Sequence, residues 1–260
     1  MTLDSMPIAE AVELMLHEEA RVTTALLAKK TLLTRAVRIV TRAFQSGGKL
    51  FYFGAGTSGR LGVLDASECP PTFRVAPTLV QGIIAGGDVA LRDAVEGAED
   101  DAAAGAREVR SRRVTKRDVV VGIAASGTTP FVWGAIGEAK KRGATTILLC
   151  FNPHLIIPRA MRPTLVLAPD LGPEVLTGST RLKAGTATKL VLNILTTLSM
   201  VQLGKVKSNL MVDVNPSNVK LRARAVRIVR ELTGADEATA IERLKRADWI
   251  VKKAINSQDR

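Results

Sequence analysis

The sequence predicts an α/β fold, a doubly wound parallel-sheet sandwich, from three observations. Short runs of consecutive apolar residues recur along the chain, which is typical of strands buried on both faces of a parallel sheet. Most of these runs are followed by a stretch whose apolar residues have helical spacing. The 260 residues suffice for one large domain, or for one domain with a small appendage. Repeated strand–helix units with right-handed crossovers place helices on both faces of such a sheet.

The N-terminal segment, residues 1–47, is predicted to form two helices ahead of the sheet. Apolar residues at spacings of three and four indicate the faces that we expect to be buried, and these are Ile8, Ala9, Val12, Met15, Leu26, Leu33, Val37 and Val40. Residues 46–48, Ser-Gly-Gly, end the second helix, because glycine readily adopts the left-handed conformation that often follows a helix.

Residues 48–214 are predicted to form the domain that contains the sheet. The predicted strands cover residues 49–53, 79–85, 118–123, 145–151 and 164–167. The predicted helices of this domain cover residues 88–109, 130–142 and 179–203. Residues 215–260 are predicted to form a small helical appendage, with helices at 219–232, 236–244 and 247–255 and with Asp236 as an N-cap.

The composition excludes several classes of protein. Hydrophobic residues make up 46% of the chain and charged residues 24%, as in an ordinary globular domain. The net charge is +12, but the basic residues are spread at helical spacing and only nine residues are aromatic (two Trp, one Tyr, six Phe), so no nucleic-acid partner is expected. Polar residues interrupt the long apolar stretches, so no membrane span is expected. Cys69 and Cys150, without a secretory leader, predict a reducing cytoplasm.

Residues 54–60, Gly-Ala-Gly-Thr-Ser-Gly-Arg, follow the first predicted strand, at the edge where such sheets bind ligands. They match the glycine pattern of dinucleotide-binding loops, so an NAD-dependent oxidoreductase is one interpretation. That class also needs an acidic residue about 20 positions later, and residues 72–87 contain none. The hydroxyls of Thr57 and Ser58 at a helix start instead favour binding of a phosphate monoester.

Two later loops have a similar composition. Ser126 and Thr128 lie within residues 124–130, and Ser179 lies within residues 177–181, with Lys183 close behind. The three loops could converge on one small phosphorylated ligand, whereas ordinary N-capping explains any one of them taken alone.

Two acidic segments are candidates for general acid–base chemistry. Residues 65–71, Asp-Ala-Ser-Glu-Cys-Pro-Pro, place charges in an otherwise apolar turn near the glycine loop. Residues 93–101 place Glu96 and Glu99 on one face of a predicted helix. Most of these acids are expected to face solvent. The two histidines and two cysteines are scattered, so no metal site is expected.

Taken together, these stretches resemble the N-acetylmuramic acid 6-phosphate etherases. Residues 54–62 and 65–72 are similar to the signature of that family. Similar stretches follow in the same order along essentially the whole chain, at residues 84–87, 94–100, 122–127, 174–186, 204–206 and 209–214.

The resemblance implies a sugar isomerase (SIS) domain that binds a phosphosugar and forms a homodimer, with no metal or organic cofactor. It implies a carbon–oxygen lyase that cleaves the lactyl ether of N-acetylmuramic acid 6-phosphate, by elimination and then water addition, to N-acetylglucosamine 6-phosphate and D-lactate. The family's two functional glutamates fall on Glu68 and Glu99. We expect Glu68 to protonate the leaving lactate and Glu99 to be the partner acid or base, although the sequence does not order these roles. The expected substrate-binding residues are Thr57, Ser58, Arg60, Ser126, Thr128, Glu174, Ser179 and Lys183.

An alternative from another class is a phosphosugar-sensing regulator, resembling the glucokinase regulatory protein, which shares this domain and binds without turnover. A sensor has no reason to keep both Glu68 and Glu99. The enzyme is therefore the favoured interpretation.

Overall fold

Five parallel strands form the central sheet of this computed structural model, which describes residues 2–213, 216 and 219–256. The strands are β1 (Leu50–Gly54), β2 (Val80–Ile84), β3 (Val119–Ile123), β4 (Thr145–Leu149) and β5 (Leu165–Leu167). Their spatial order is β2-β1-β3-β4-β5, and each neighbouring pair is parallel. The predicted doubly wound parallel sheet is confirmed, with each strand within two residues of its predicted bounds.

Helices cover both faces of the sheet. The described α-helices are α1 (Ile8–Leu27), α2 (Lys30–Gln45), α3 (Gly56–Phe73), α4 (Ala102–Ser111), α5 (Pro130–Lys141), α6 (Lys183–Gln202), α7 (Val219–Thr233), α8 (Glu237–Arg246) and α9 (Val251–Ala254). Leu50 and Tyr52 of β1 point into the core shared with α1, α2, α3 and α6. Phe51 and Phe53 point the other way, into the core shared with α4 and α5. Alternate residues of one apolar strand thus serve two separate cores.

The N-terminal pair of helices is confirmed, but half of its predicted buried face is not buried. Val22 is the first buried residue of α1, and Leu26, Leu33, Val37 and Val40 are buried as predicted. The prediction was wrong for Ile8, Ala9, Val12 and Met15, which are exposed. Their spacing is that of a buried face, but the residues of α1 that are buried in the described part of the chain, Val22 and Leu26, lie in its second half.

The predicted helix at 88–109 is wrong over its first half. Two short 3-10 turns, Gly87–Leu91 and Ala98–Asp100, stand in place of that half, and α4 begins only at Ala102. Gly97 lies between them with a φ of 73°, a conformation that no right-handed helix contains. Glu96 and Glu99 therefore do not share a helix face.

The interpretation of residues 65–71 as a turn near the glycine loop is also wrong. These residues continue α3, which runs without a break from Gly56 to Phe73. Pro70 and Pro71 remove two helical N–H donors, but they fall in the last turn of the helix, where the cost is smaller. Arg74, with a φ of 51°, then ends α3 and donates its N–H to the carbonyl of Pro70.

The C-terminal part begins with a hairpin that the sequence did not predict, β6 (Val206–Lys207) paired with β7 (Leu210–Met211). The three predicted helices are present as α7, α8 and α9, and Asp236 caps α8 by accepting the Thr239 N–H at 2.8 Å. Their apolar residues form a third cluster with Val212. The predicted domain boundary at residues 214 and 215 lies outside the described residues, so the division into domains stays a prediction.

Helix α6 has the length and composition of a membrane-spanning segment, and no other helix in the described part of the chain does. In this fold 56% of its most apolar window is buried. Val191, Leu192 and Leu195 are fully enclosed in the core against the sheet. This burial identifies α6 as a core helix.

Candidate active site

The strand order creates a crevice at the carboxyl edge of the sheet. Strand β1 lies between β2 and β3, so the connections that leave β1 and β3 diverge to opposite faces. Helix α3 follows β1 onto one face, and α5 follows β3 onto the other. Ligands of open α/β sheets bind at such a switch point.

The loop after β1 presents the start of α3 to this crevice. A Cβ on Gly54 would lie 2.7 Å from the backbone nitrogen of Gly59, so the tight turn requires glycine. Thr57 and Ser58 lie in the first turn of α3 and are half-buried. The first N–H groups of a helix have no partner within it, and together with two hydroxyls they form a site for an anion.

The loop after β3 lies on the other side of the crevice and is held rigidly. The hydroxyls of Ser126 and Thr128 are 2.8 Å apart, and both residues are exposed. Trp133 donates its indole N–H to the carbonyl of Gly127 at 2.7 Å, and Asn152 donates to the carbonyl of Ser126 at 3.5 Å. Trp133 thus fixes the loop that presents the two hydroxyls.

The third hydroxyl loop precedes α6 instead of forming its first turn, because α6 begins four residues later than predicted. The carboxylate of Glu174 accepts the N–H groups of Lys183 and Ala184 at 3.1 and 3.0 Å, and it therefore caps α6. A Cβ on Gly185 would lie 3.6 Å from the Thr57 methyl group, which places the start of α6 beside the start of α3. The structure thus brings the first and third loops together.

Two predicted substrate-binding cations contact protein groups in this structure. Lys183 is 1% exposed, and its ammonium donates to Glu18 at 2.5 Å, to the Leu171 carbonyl at 3.0 Å and to the Pro173 carbonyl at 2.7 Å. These three acceptors use all of its protons, and the ammonium lowers the pKa of the Glu18 carboxyl.

Arg60 holds the loop that follows β2. Its guanidinium donates to the carbonyls of Leu91 and Asp93 at 3.1 and 3.2 Å. For Arg60, Glu174 and Lys183 the described contacts indicate positioning of the loops, and their contact with substrate stays a prediction.

Glu99 lies at the carboxyl edge, on the 3-10 turn Ala98–Asp100, and it is exposed. Ala98 anchors this turn in the core shared with α5, and its Cβ would be 3.3 Å from a Cβ on Gly86. The turn belongs to the loop after β2 that Arg60 holds. Glu99 is therefore presented at the same edge as the hydroxyl loops.

Glu68 lies elsewhere. It follows Thr57 by 11 positions along α3, which corresponds to about 17 Å at the helical rise. Its side chain is exposed on the flank of α3. Within one chain, the structure does not bring Glu68 to the hydroxyl loops.

A buried polar network that the sequence analysis missed lies one turn before Glu68. Asp65 is 4% exposed, and its carboxylate accepts the Tyr52 hydroxyl at 3.0 Å and the Thr196 hydroxyl at 3.2 Å. Burial raises the pKa of Asp65, and burial with the neighbouring Asp65 raises the pKa of Tyr52 well above its usual value. A signal was available, because Asp65 shares helical spacing with Gly62 and Cys69, which are buried.

Cys69 is buried, and burial raises the pKa of its thiol to about 12. A thiol with so high a pKa is not a nucleophile near neutral pH. Cys69 is therefore a buried small apolar residue of the core.

The fold of the chain is shared with a known structural class of proteins. Solved structures with the same architecture include a phosphoheptose isomerase from Neisseria gonorrhoeae (TM-score 0.53, 16% identity, 74% of this chain and 98% of that one) and another from Francisella tularensis (TM-score 0.54, 18% identity, 74% and 100%). Residues 32–140 also match the family model of the glucokinase regulatory protein N-terminal SIS domain. The chain therefore has the fold of SIS-domain proteins.

Closer relatives then define the family. An N-acetylmuramic acid 6-phosphate etherase of Gloeobacter violaceus is 53% identical over 253 residues, which are 97% of this chain and 82% of the relative. The etherase of Shouchella clausii is 49% identical over 255 residues, 98% of this chain and 86% of the relative. This chain belongs to the N-acetylmuramic acid 6-phosphate etherase family, as the resemblance of its motifs implied.

Proposed function

We propose that this protein is a carbon–oxygen lyase that cleaves the lactyl ether of N-acetylmuramic acid 6-phosphate, giving N-acetylglucosamine 6-phosphate and D-lactate. The observation that carries the proposal is an identity of about one residue in two with etherases, over nearly the whole chain. The geometry supports it, because the hydroxyl loops and Glu99 lie at the ligand-binding edge of the sheet.

The phosphate group binds between the starts of α3 and α5. Thr57, Ser58, Ser126 and Thr128 supply hydroxyls, and the first turn of α3 adds backbone N–H donors. Ser179 approaches from the third loop, which lies beside the start of α3. Oriented N–H dipoles at a helix start favour a doubly charged phosphate without any buried cation.

The chemistry requires a proton acceptor and a proton donor. Opening of the sugar ring exposes an aldehyde at C1, which acidifies the C2 proton. A base removes that proton, the C3–O bond breaks, and an acid protonates the departing lactyl oxygen. Water then adds to the unsaturated aldehyde, with hydroxide at C3 and a proton returning to C2. The aldehyde of the substrate accepts the electron pair, so the steps call for no other electrophile.

Glu68 and Glu99 are the acid and the base in this proposal. Glu68 protonates the leaving lactate, and Glu99 is the partner that exchanges the proton at C2. Positioned carboxyl groups contribute rate factors of roughly 10² to 10⁴ in such steps. Glu99 is presented at the carboxyl edge with the phosphate loops.

Glu68 reaches the substrate from a second copy of the chain. Six covalent bonds separate the phosphorus from the ether oxygen, a span of at most about 8 Å. A phosphate held at Thr57 therefore leaves the ether oxygen far short of Glu68 on the same α3, about 17 Å away. In a symmetric homodimer each copy supplies Glu68 to the active site of the other copy, so both active sites are complete.

We place the protein in the cytoplasm, where the two free and buried cysteines are stable as thiols. The match to the glucokinase regulatory protein domain favours one second candidate, a phosphosugar sensor that binds without turnover.

Isotope labelling tests the proposed function. Purified protein is incubated with N-acetylmuramic acid 6-phosphate in H₂¹⁸O and, separately, in D₂O. We expect equimolar D-lactate and N-acetylglucosamine 6-phosphate, with ¹⁸O at C3 and carbon-bound deuterium at C2 of the sugar, and with neither ¹⁸O nor carbon-bound deuterium in the lactate. If ¹⁸O appears in the lactate hydroxyl, the ether is cleaved by direct hydrolysis and not by elimination. If the protein binds the substrate tightly but forms no products, the sensor is the supported function.

A further inference from the structure

The first half of α1, residues 8–17, is an apolar arm that nothing in the described chain covers. None of its residues is buried. Ile8 is 84% exposed, Val12 52% and Leu16 66%, and Met15 is exposed beside them. Their spacing places them on one face of the helix. A contiguous exposed apolar stripe of this kind marks an interaction surface.

The arm extends beyond the body of the chain. Glu18 is bound to the Lys183 ammonium at the first residue of α6, and from Val22 onward α1 is packed into the core. The ten residues of the arm precede this anchor and extend past it by about 15 Å. Because α1 is one continuous helix, the arm cannot fold back onto its own chain.

A groove of matching character lies between α2 and α6. Its volume is about 910 Å³, and its apolar lining includes Leu33, Val37, Leu190, Ile194 and Leu198. It extends from Leu190 to Gln202, which is about 18 Å along α6. The arm, at about 15 Å, is the length of helix that fits this groove.

The charges of the two surfaces are complementary. Lys30, Arg38 and Arg42 line the groove, and none of them forms an ion pair with any described carboxylate. The arm carries Glu10 and Glu13, both exposed, and no lysine or arginine. Arm and groove thus present the same kind of apolar surface with opposite charge.

We propose that the arm of one copy of this chain lies in the groove of a second copy, and that the exchange is mutual. The contact is a helix-in-groove interaction repeated about a two-fold axis, which closes the assembly at two copies. This inference rests on the proposed function, because it names the surface through which the two copies required for a complete site associate.

The position of Glu68 is consistent with this surface. Helix α6 forms one wall of the groove, and on its other side it contacts α3 through the Thr196–Asp65 hydrogen bond. Glu68 follows Asp65 by one turn and is exposed. Glu68 thus lies on a helix that packs against one wall of the groove.

Sedimentation equilibrium of the full chain tests the proposal. We expect a dimeric wild type, and we expect Leu16→Glu in the arm and Leu198→Glu in the groove each to raise the dimer dissociation constant about 100-fold. Ile156→Glu is the matched control, because Ile156 is 92% exposed outside both surfaces, and it leaves the dimer intact. Circular dichroism verifies that every variant is folded.

A charge exchange gives a sharper result. Glu13→Arg weakens the dimer, and adding Arg38→Glu restores it, which general misfolding would not do. A monomeric wild type, or variants of arm and groove that remain dimeric, would overturn the proposal. The failure of the proposed function is distinguishable, because a dimer that these variants dissociate but that releases no D-lactate leaves the arm contact standing and removes the etherase.

Discussion

The two ends of helix α3 differ in what surrounds them. Its first turn, with Thr57 and Ser58, follows β1 at the carboxyl edge of the sheet, the edge that also holds the loop of Ser126 after β3. Three turns later Glu68 is exposed on the flank of the same helix, about 17 Å away. In the proposed mechanism, one continuous motif of the sequence therefore carries two functions that a single chain does not bring together.

In the proposed mechanism the start of α3 binds the phosphate group, and its later turns supply the catalytic carboxyl group. Phosphate binding uses N–H groups that exist only at the start of a helix, so it is local to that end. A proton donor needs only a side chain at the right place, and a second chain can supply it. The buried Asp65 network between the two ends fixes α3 against β1 and α6, so both ends are rigid relative to the core.

The largest expected effect comes from Glu68→Gln, which removes the proton donor and keeps the shape of the side chain. We expect kcat for D-lactate release to fall about 10³-fold, with binding of substrate nearly unchanged. Glu242→Gln, an exposed glutamate of α8, is the control. Activity within tenfold of the wild type would remove Glu68 from the mechanism.

Lys183→Met tests the buried contacts of the Lys183 ammonium, which hold the start of α6 next to the start of α3. The substitution leaves the carbonyls of Leu171 and Pro173 and the Glu18 carboxylate without their shared partner. We expect the free energy of unfolding to fall by about 3 kcal/mol, measured by urea denaturation. A variant as stable as the wild type would show that this buried ammonium is free for another role, such as the predicted contact with substrate.

Ser58→Ala tests whether the first turn of α3 binds the phosphate group, because it removes one of the two hydroxyls there. Losing one hydrogen bond to a charged phosphate costs about 1.5 kcal/mol, so we expect KM to rise about tenfold while kcat changes little. Steady-state kinetics and inhibition by inorganic phosphate both report this end of the helix. A selective loss of kcat would instead place Ser58 at the reacting atoms.

The smallest effect concerns the pH dependence of stability through Asp65. Its pKa is raised above the ordinary 3.8 in the folded state, so the folded chain holds this proton more tightly than the unfolded chain. The stabilisation is therefore fully present below pH 3.8 and is lost as the pH rises through the folded-state pKa. Asp65→Asn keeps a neutral hydrogen-bonding group at every pH. We therefore expect the Tm of the variant, relative to that of the wild type, to increase as the pH rises. A constant difference in Tm would contradict the raised pKa.

The sheet and its loops were predictable because their signals are local. Runs such as residues 119–123 are apolar without interruption, and glycine and hydroxyl residues follow directly after them. Glu68 was misplaced for an equally local reason. Two prolines indicate a break, yet α3 had already gained most of its hydrogen bonds before Pro70.

Other features depend on contacts that no single stretch of sequence records. The arm of α1 has the spacing of a buried helix, and its exposure follows from what the rest of the chain does not cover. Lys183 looks like a substrate-binding cation from its motif, whereas Glu18, distant in sequence, binds it in the core. The Tyr52–Asp65–Thr196 network likewise joins three elements that only the folded chain brings together.

The central claim is that one active site needs Glu99 from one copy and Glu68 from another, and mixing two inactive variants tests it most directly. Glu68→Gln and Glu99→Gln proteins are unfolded together, refolded as a mixture and assayed for D-lactate release. Half of the dimers are then mixed and each has one intact site, so we expect about one quarter of the wild-type activity. If both glutamates acted within one chain, no mixture would contain an intact site, and activity no higher than that of the separate variants would contradict the account.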